Sequence, residues 1–150
     1  MLSSPSPDLS AFHEFLGEGG LITDAASLTR YTHDQRALMQ GQTPGVLRPR
    51  STEDVQEIVR LAARLGFGLV PQGGNTSYVG GATPEPGRGQ LVVTLERMSR
   101  IRSVDATGFT LACDAGTILA DAQAAAEARG CLLPLSLGAE GSCRLGGNVG

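Results

Sequence analysis

The spacing of hydrophobic and polar positions predicts two well-bounded helices, residues 52–65 and 117–129. In the first, five apolar residues keep helical spacing: Val55, Ile58, Val59, Ala62 and Leu65. Ser51 or Thr52 provides a cap at its start, and Gly66 provides a stop. The second is rich in alanine and is followed by a glycine that would end it.

The remaining pattern predicts shorter elements. Residues 8–16 predict a short helix with one apolar face, whereas residues 21–36 look irregular, with at most a helical turn near Ser27. Four stretches rich in Val, Ile, Leu and Thr predict strands: residues 68–71, 90–95, 101–105 and 110–113. Strands and helices therefore alternate along the chain without a strict repeat.

Residues 71–82, the first glycine segment, follow a predicted strand and read PQGGNTSYVGGA. Glycine reaches positive φ at little cost, so consecutive backbone N–H groups can point into one concavity. Asn75, Thr76 and Ser77 add side-chain donors at its centre. Since phosphate oxygens only accept hydrogen bonds and must come close, the segment predicts a cradle for a pyrophosphate. It carries no Lys or Arg, which favours a dinucleotide cofactor over a nucleoside triphosphate undergoing transfer.

Other phosphate-binding motifs are absent from the sequence. No Gly-Lys dipeptide occurs, which excludes a Walker loop, and the proline-rich residues 83–87 cannot begin the helix that a Rossmann motif requires. A glycine-rich turn that merely joins two strands is an equally good reading of the first glycine segment taken alone.

Residues 134–150, the second glycine segment, read PLSLGAEGSCRLGGNVG. Each glycine costs roughly 0.5–1 kcal/mol of backbone entropy relative to alanine. So much glycine is tolerated mainly where backbone must lie close to something else. Two such segments in one small chain predict two walls of one cofactor site.

The two segments, in this order, resemble those of FAD-linked oxidases of the vanillyl-alcohol oxidase and p-cresol methylhydroxylase type. Within that family the chain is most similar to the D-2-hydroxyacid dehydrogenase branch, which includes D-2-hydroxyglutarate dehydrogenase, D-lactate dehydrogenase and the glycolate oxidase FAD subunit. The resemblance covers residues 31–150, including the lead-in VLRP at residues 46–49 and the start of the helix, TEDVQEIV.

The resemblance implies an α+β fold with two subdomains, a small sheet with helices and a mostly antiparallel sheet, with FAD between them. It implies a leader and short helix over residues 1–38 and an FAD-binding domain, incomplete at its C-terminus, over residues 39–150. The residues expected around the pyrophosphate are Pro71, Gln72, Gly73, Gly74, Asn75, Thr76 and Ser77. The residues expected along the ribityl chain and flavin ring are Pro134, Leu135, Gly138, Ser142, Cys143, Gly147 and Asn148.

Covalent members of the family often carry a histidine where this chain has Asn75, so noncovalent FAD is expected. The resemblance also implies oxidation of a small D-2-hydroxy acid by hydride transfer to flavin, with electrons passing to a separate acceptor. Relatives continue beyond the last glycines, and their substrate-binding Arg and catalytic or metal-binding His lie there. We therefore expect this chain to be an N-terminal part without catalytic residues. A non-catalytic flavin-binding module and a sugar or alcohol oxidase of the same fold stay open as alternatives.

Composition and charge argue against several other classes of function. A hydrophobic content of 41% with 18% charged residues is typical of a globular domain. The net charge of −3 and scattered arginines give no reason to expect nucleic acid. No apolar run approaches the roughly 20 residues that span a membrane. Residues 1–7 lack the features of a signal peptide, so we expect a disordered leader and a cytoplasmic location.

The sequence allows more than one role for several polar residues. The three cysteines lack C-x-x-C spacing, which argues against a disulfide or a metal site, and Cys143 is better explained by packing than by redox chemistry. His33 fits a surface or capping role. Arg48 and Arg50 are solvated charges or assist with the cofactor's negative charge, and Tyr78 either stacks near the cofactor or covers the loop.

Overall fold

The computed structural model describes residues 7–149. They form two compact units: a first unit of residues 7–72 and 77–94, and a second unit of residues 73–76 and 95–149. The prediction of disorder for the leader falls mainly on residues 1–6, which lie outside the described residues, as does Gly150.

The first unit is built from helices and one mixed sheet. Its helices are α1, α2 and α3: Ser10–Leu16, Ala25–Thr32 and Thr52–Leu65. Its strands are β1, β2, β3 and β4: Leu21–Ile22, Val46–Leu47, Leu69–Gln72 and Leu91–Thr94. The spatial order is β1-β2-β4-β3, with β1 antiparallel to β2 and the other neighbours parallel.

Both faces of this sheet are buried, because alternate residues of a strand point to opposite faces. On one face, Leu47 and Leu91 pack with apolar residues of α1 and α3. On the other face, Val46 and Val92 pack with Tyr31 of α2. The sheet therefore lies between helices, as the near-continuous apolar character of β4 requires.

The predicted bounds of α3 are confirmed. The Ser51 side chain accepts a hydrogen bond from the Asp54 backbone N–H at 3.0 Å, and Gly66 adopts the left-handed conformation with φ 78°. The buried face differs from the one predicted, since Val59 and Leu65 are 52% and 44% exposed and Leu61 is buried instead.

The second unit contains a two-stranded antiparallel sheet and two helices. The strands are β5 and β6, Ile101–Asp105 and Thr110–Cys113. The helices are α4 and α5, Leu119–Glu127 and Leu145–Val149. The predicted fold class, α+β with a small helix-flanked sheet and a separate antiparallel sheet, is confirmed.

Three segments differ from the sequence prediction, apart from shifts of one or two residues at the ends of α1, β3, β4 and α4. Residues 21–36 were expected to be irregular, but they contain β1 and the helix α2, which the Asp24 side chain caps by accepting from the Ser27 N–H at 2.9 Å. β2 was not predicted, because a two-residue strand exists only through its pairing with β1 and β4. The glycine-rich end of the chain, expected to be loop, forms α5.

No helix within residues 7–149 has both the length and the apolar character needed to cross a membrane.

Candidate cofactor site

The two glycine segments meet in the second unit. Residues 73–76 of the first glycine segment group with residues 95–149. A Cβ atom placed on Gly74 would collide with the carbonyl oxygen of Ser142 and lie 3.0 Å from the Cα of Cys143. A Cβ on Gly73 would lie 3.6 Å from the Cβ of Arg144. The first segment therefore runs directly against residues 142–144, as expected for two parts of one site.

The reason for glycine at this contact differs from the one expected. Positive φ was predicted for the glycines of this loop. It occurs at Gly80, with φ 73°, but not at Gly73 or Gly74, and Asn75 also adopts it, with φ 54°. Asparagine is among the few residues that tolerate this conformation. Gly74 is required instead by close approach, because the atoms that its side chain would strike belong to the backbone.

The second glycine segment is built on the turn formed by residues 114–117. The carbonyl oxygen of Ala115 accepts from the Gly146 N–H at 2.8 Å, and that of Thr117 accepts from the Leu145 N–H at 2.9 Å. Between them, the carbonyl oxygen of Gly116 accepts from the Arg144 guanidinium. The turn thus sets where α5 begins, although sequence reasoning gave it no role.

Cys143 lies at the centre of the second segment and is 3% exposed. Its thiol accepts a hydrogen bond from the side-chain amide of Asn148, with Nδ2 and Sγ 3.6 Å apart. Its backbone N–H donates to Ala139 at 2.7 Å, and its carbonyl accepts from the Leu119 N–H at 3.2 Å. These contacts give Cys143 a packing role and orient Asn148.

Open space lies next to two of the predicted flavin-contacting glycines. At Gly138 and Gly147, an added Cβ would meet no atom within 4 Å, and neither residue has positive φ. Neither the backbone conformation nor protein packing therefore demands glycine there. Bare backbone facing open space leaves room for a flat ring or a phosphate to approach closely, so the residues present fit a flavin cofactor.

The other predicted residues of the second segment have local roles. Pro134 is exposed, and the carbonyl oxygen of Leu135 accepts from the Gln123 side chain at 2.7 Å. The hydroxyl of Ser142 donates to the carbonyl of Ala139 at 3.3 Å. Glu140 accepts from the Leu137 N–H at 3.0 Å. The Ser136 hydroxyl and then this N–H hold the pKa of Glu140 below its usual value, so the carboxylate stays charged.

Three predicted residues belong to the first unit. Pro71 lies in β3, an edge strand, where proline is tolerated. Gln72 is buried, and its side-chain amide donates to the carbonyls of Tyr31 at 3.0 Å and Ala82 at 2.8 Å. The Ser77 hydroxyl accepts from the Val79 N–H at 3.3 Å. Gln72 therefore ties the two ends of the loop together through Ala82 and links the loop to α2 through Tyr31.

Tyr78 and Arg48, whose roles the sequence left open, also have contacts in the first unit. The guanidinium carbon of Arg36 lies 4.2 Å from the centre of the Tyr78 ring. Arg48 donates to the carbonyl of Gly19 at 3.0 Å. Among the described residues, no group of three or more His, Cys, Asp or Glu side chains could hold a metal ion.

Comparison with known proteins supports a flavin site. Residues 43–150 match the family model described as FAD binding domain. The mitochondrial D-2-hydroxyglutarate dehydrogenase of Arabidopsis thaliana is 36% identical over 147 residues, covering 98% of this chain and 26% of that protein. The enzyme of the same name from Danio rerio is 37% identical over 142 residues, covering 95% and 26%. The chain thus spans about a quarter of the length of these curated relatives.

Solved structures show the same fold at lower identity. Alkyldihydroxyacetonephosphate synthase matches with a TM-score of 0.82 and 20% identity, covering 98% of this chain and 30% of that one. p-Cresol methylhydroxylase matches with a TM-score of 0.71 and 19% identity, covering 86% and 25%. The predicted fold type is therefore confirmed, while at this identity the likeness says nothing of activity.

Proposed function

Because the chain belongs to the family of FAD binding domains, we propose that its two glycine segments hold the pyrophosphate and the flavin end of a noncovalently bound FAD. Family and cofactor are those that the sequence resemblance predicted. The observation that carries the proposal is the open space next to Gly138 and Gly147, on a segment that Gly74 contacts directly.

In this proposal the first glycine segment holds the pyrophosphate. Backbone N–H groups of residues 73–76 donate to the phosphate oxygens, and the Thr76 hydroxyl adds a donor. Pro71, Gln72 and Ser77 flank them in the chain, and Gln72 acts by closing the loop rather than by donating to the cofactor. Asn75 offers no ring nitrogen to attack the flavin, which supports noncovalent attachment.

The second glycine segment lies along the ribityl chain and the flavin ring. The proposed residues are Pro134, Leu135, Gly138, Ser142, Cys143, Gly147 and Asn148. Gly147 supplies bare backbone for close approach, and Cys143 orients the side chain of Asn148. The flavin, when bound, supplies the capacity to accept a hydride. The residues of this chain bind it, orient it and keep water from it.

For the whole protein we propose oxidation of a small D-2-hydroxy acid, with a separate electron acceptor. Support comes from the curated relatives named D-2-hydroxyglutarate dehydrogenase, of which the chain spans about a quarter. We also propose that residues 39–150 form the FAD-binding domain, that residues 1–38 precede this domain, and that the protein is cytoplasmic. Cell fractionation tests the location.

Replacing Gly147 with alanine tests the site. The added methyl meets no protein atom, and alanine favours a helix over glycine by about 0.5–1 kcal/mol. We therefore expect thermal stability to be unchanged or slightly raised, whereas FAD affinity, measured by titration of flavin fluorescence, falls.

Gly81 provides a matched control, because an added Cβ there also meets no atom within 4 Å, its φ is not positive, and it is not among the residues proposed to bind FAD. Gly81→Ala should bind FAD like the unaltered protein. Equal FAD affinity for Gly147→Ala and Gly81→Ala would contradict the proposed position of the flavin.

A further inference from the structure

The turn of residues 114–117 connects β6 to α4 and carries the start of α5. Three consecutive carbonyl groups of the turn, those of residues 115–117, accept hydrogen bonds from three consecutive residues, 144–146. Gly147 and Asn148, which the proposed function assigns to the flavin, follow directly. Any displacement of the turn therefore displaces the proposed flavin-binding backbone.

The turn has little freedom to move on its inner side. A Cβ on Gly116 would collide with the carbonyl oxygen of Leu95 and lie 2.6 Å from that of Met98. The Gly116 N–H also donates to the Met98 carbonyl at 2.8 Å. On the other side, a Cβ on Gly146 would lie 2.8 Å from the Cβ of Ala115. The backbone of the turn is thus in close contact with residues 95–98 and with α5.

One buried carboxylate fixes the beginning of this turn. Asp114 is 8% exposed and accepts from the Arg102 side chain through Nε at 2.8 Å and Nη2 at 2.5 Å. It also accepts from the Arg100 N–H at 3.3 Å, and the Arg100 guanidinium lies 3.8 Å away. The hydrogen bonds from Arg102, ahead of the contributions of Arg100, hold the pKa of Asp114 below its usual value.

We infer that the Asp114–Arg102 ion pair positions the FAD site. The ion pair fixes the turn of residues 115–117 to β5, and the position of this turn sets the placement of Gly147 and Asn148. This inference rests on the proposed function. The polar contacts of Asp114 are with Arg100, Arg102 and Thr117, none of which is a proposed FAD-binding residue. Asp114 is therefore a positioning residue that acts through the backbone carbonyls of the turn.

The substitution Asp114→Asn tests the inference, because it keeps the size of the side chain and removes its charge. We expect the dissociation constant of FAD to rise roughly tenfold, the loss typical of one charge-assisted hydrogen bond. We also expect the amides of Leu145 and Gly146 to exchange with solvent at least several-fold faster, while the amides of the β5–β6 ladder keep their protection.

A second variant keeps the test decisive if Asp114→Asn fails to fold. Arg102→Lys keeps a cation beside Asp114 but loses the two-point contact, and Arg100 still lies nearby. It should show the same changes at reduced size. The matched control is Glu85→Gln, which removes a carboxylate from an exposed ion pair with Arg88 in the first unit and should change neither measurement.

The outcomes distinguish a failure of this inference from a failure of the proposed function. Equal FAD affinity and equal exchange at Leu145 and Gly146 in Asp114→Asn and the unaltered protein would overturn the inference and leave the proposed function standing. Faster exchange throughout the second unit would also overturn it, because the ion pair would then be a general stabiliser. If the unaltered protein bound no FAD, the proposed function would fail, and the exchange at Leu145 and Gly146 alone would decide whether the pair positions α5.

Discussion

Replacing Gly74 with alanine tests whether the two glycine segments must touch for FAD to bind. The new Cβ would collide with the carbonyl oxygen of Ser142, and it would lie 2.9 Å from that carbonyl carbon and 3.0 Å from the Cα of Cys143. All three are backbone atoms, so no side-chain rotation relieves the clash. Normal carbon–carbon contact is about 3.5–4.0 Å, and the carbonyl oxygen is closer to the new Cβ than either carbon, so the segments must separate by at least about 1 Å.

Overpacking of this kind costs about 1–3 kcal/mol. Separation of the two glycine segments relieves this strain. Because FAD is proposed to bind where the segments are in contact, their separation makes the FAD-bound arrangement less favourable. At a factor of ten for each 1.4 kcal/mol, FAD affinity should fall roughly 5- to 100-fold. The measurements are titration of flavin fluorescence and thermal unfolding of the protein without FAD, in which Gly74→Ala should also lower the midpoint.

Gly81→Ala is the matched control, because it changes a glycine of the same segment where an added Cβ meets no atom within 4 Å and φ is not positive. Gly73→Ala should also keep the thermal midpoint, since its Cβ would make ordinary contact with Arg144 at 3.6 Å. If Gly74→Ala matched Gly81→Ala in both FAD affinity and thermal midpoint, the contact between the segments would have no part in binding.

Two further predictions concern the cofactor and the substrate. Acid precipitation should release the yellow colour into the supernatant, because Asn75 offers no nucleophilic ring nitrogen to the flavin; a yellow pellet would mean covalent attachment. In the presence of the FAD-loaded whole protein, of which this chain is expected to supply only the cofactor site, D-2-hydroxyglutarate and D-lactate should reduce an artificial electron acceptor, whereas their L-enantiomers should not. Turnover of the L-enantiomers alone would contradict a site for D-2-hydroxy acids.

Local interactions explain which elements could be predicted from the sequence. The bounds of α3 follow from Ser51 and Gly66, each of which acts within the first or last turn of the helix. β5 and β6 were predicted to the residue, because their Val, Ile and Thr content and the intervening turn are local features. β1 and β2 were missed, since two-residue strands exist only where distant segments pair.

The same distinction applies to the cofactor site. The density of glycine and small polar residues indicated a pyrophosphate site, because that chemistry requires exposed backbone and little bulk, and the resemblance to a known family indicated the flavin. The sequence could not assign a reason to each glycine. The structure separates Gly74, which packs against backbone, from Gly147, which faces open space, and it places the left-handed conformation at Asn75 and Gly80 rather than at Gly73 or Gly74.

The sequence by itself determined the fold class and the cofactor, because two short glycine-rich motifs in a fixed order resemble those of a known FAD-binding family, and it proposed the two segments that carry the site. Only the tertiary structure decided that Gln72 closes the loop, that residues 145–149 form a helix despite their glycines, and that Asp114 pairs with Arg102 where the turn begins. The physical reason is that these roles arise from contacts between residues far apart in the chain. Hydrogen bonds from residues 144–146 to the turn stabilise a helix that local propensity disfavours, and no local pattern encodes such partners.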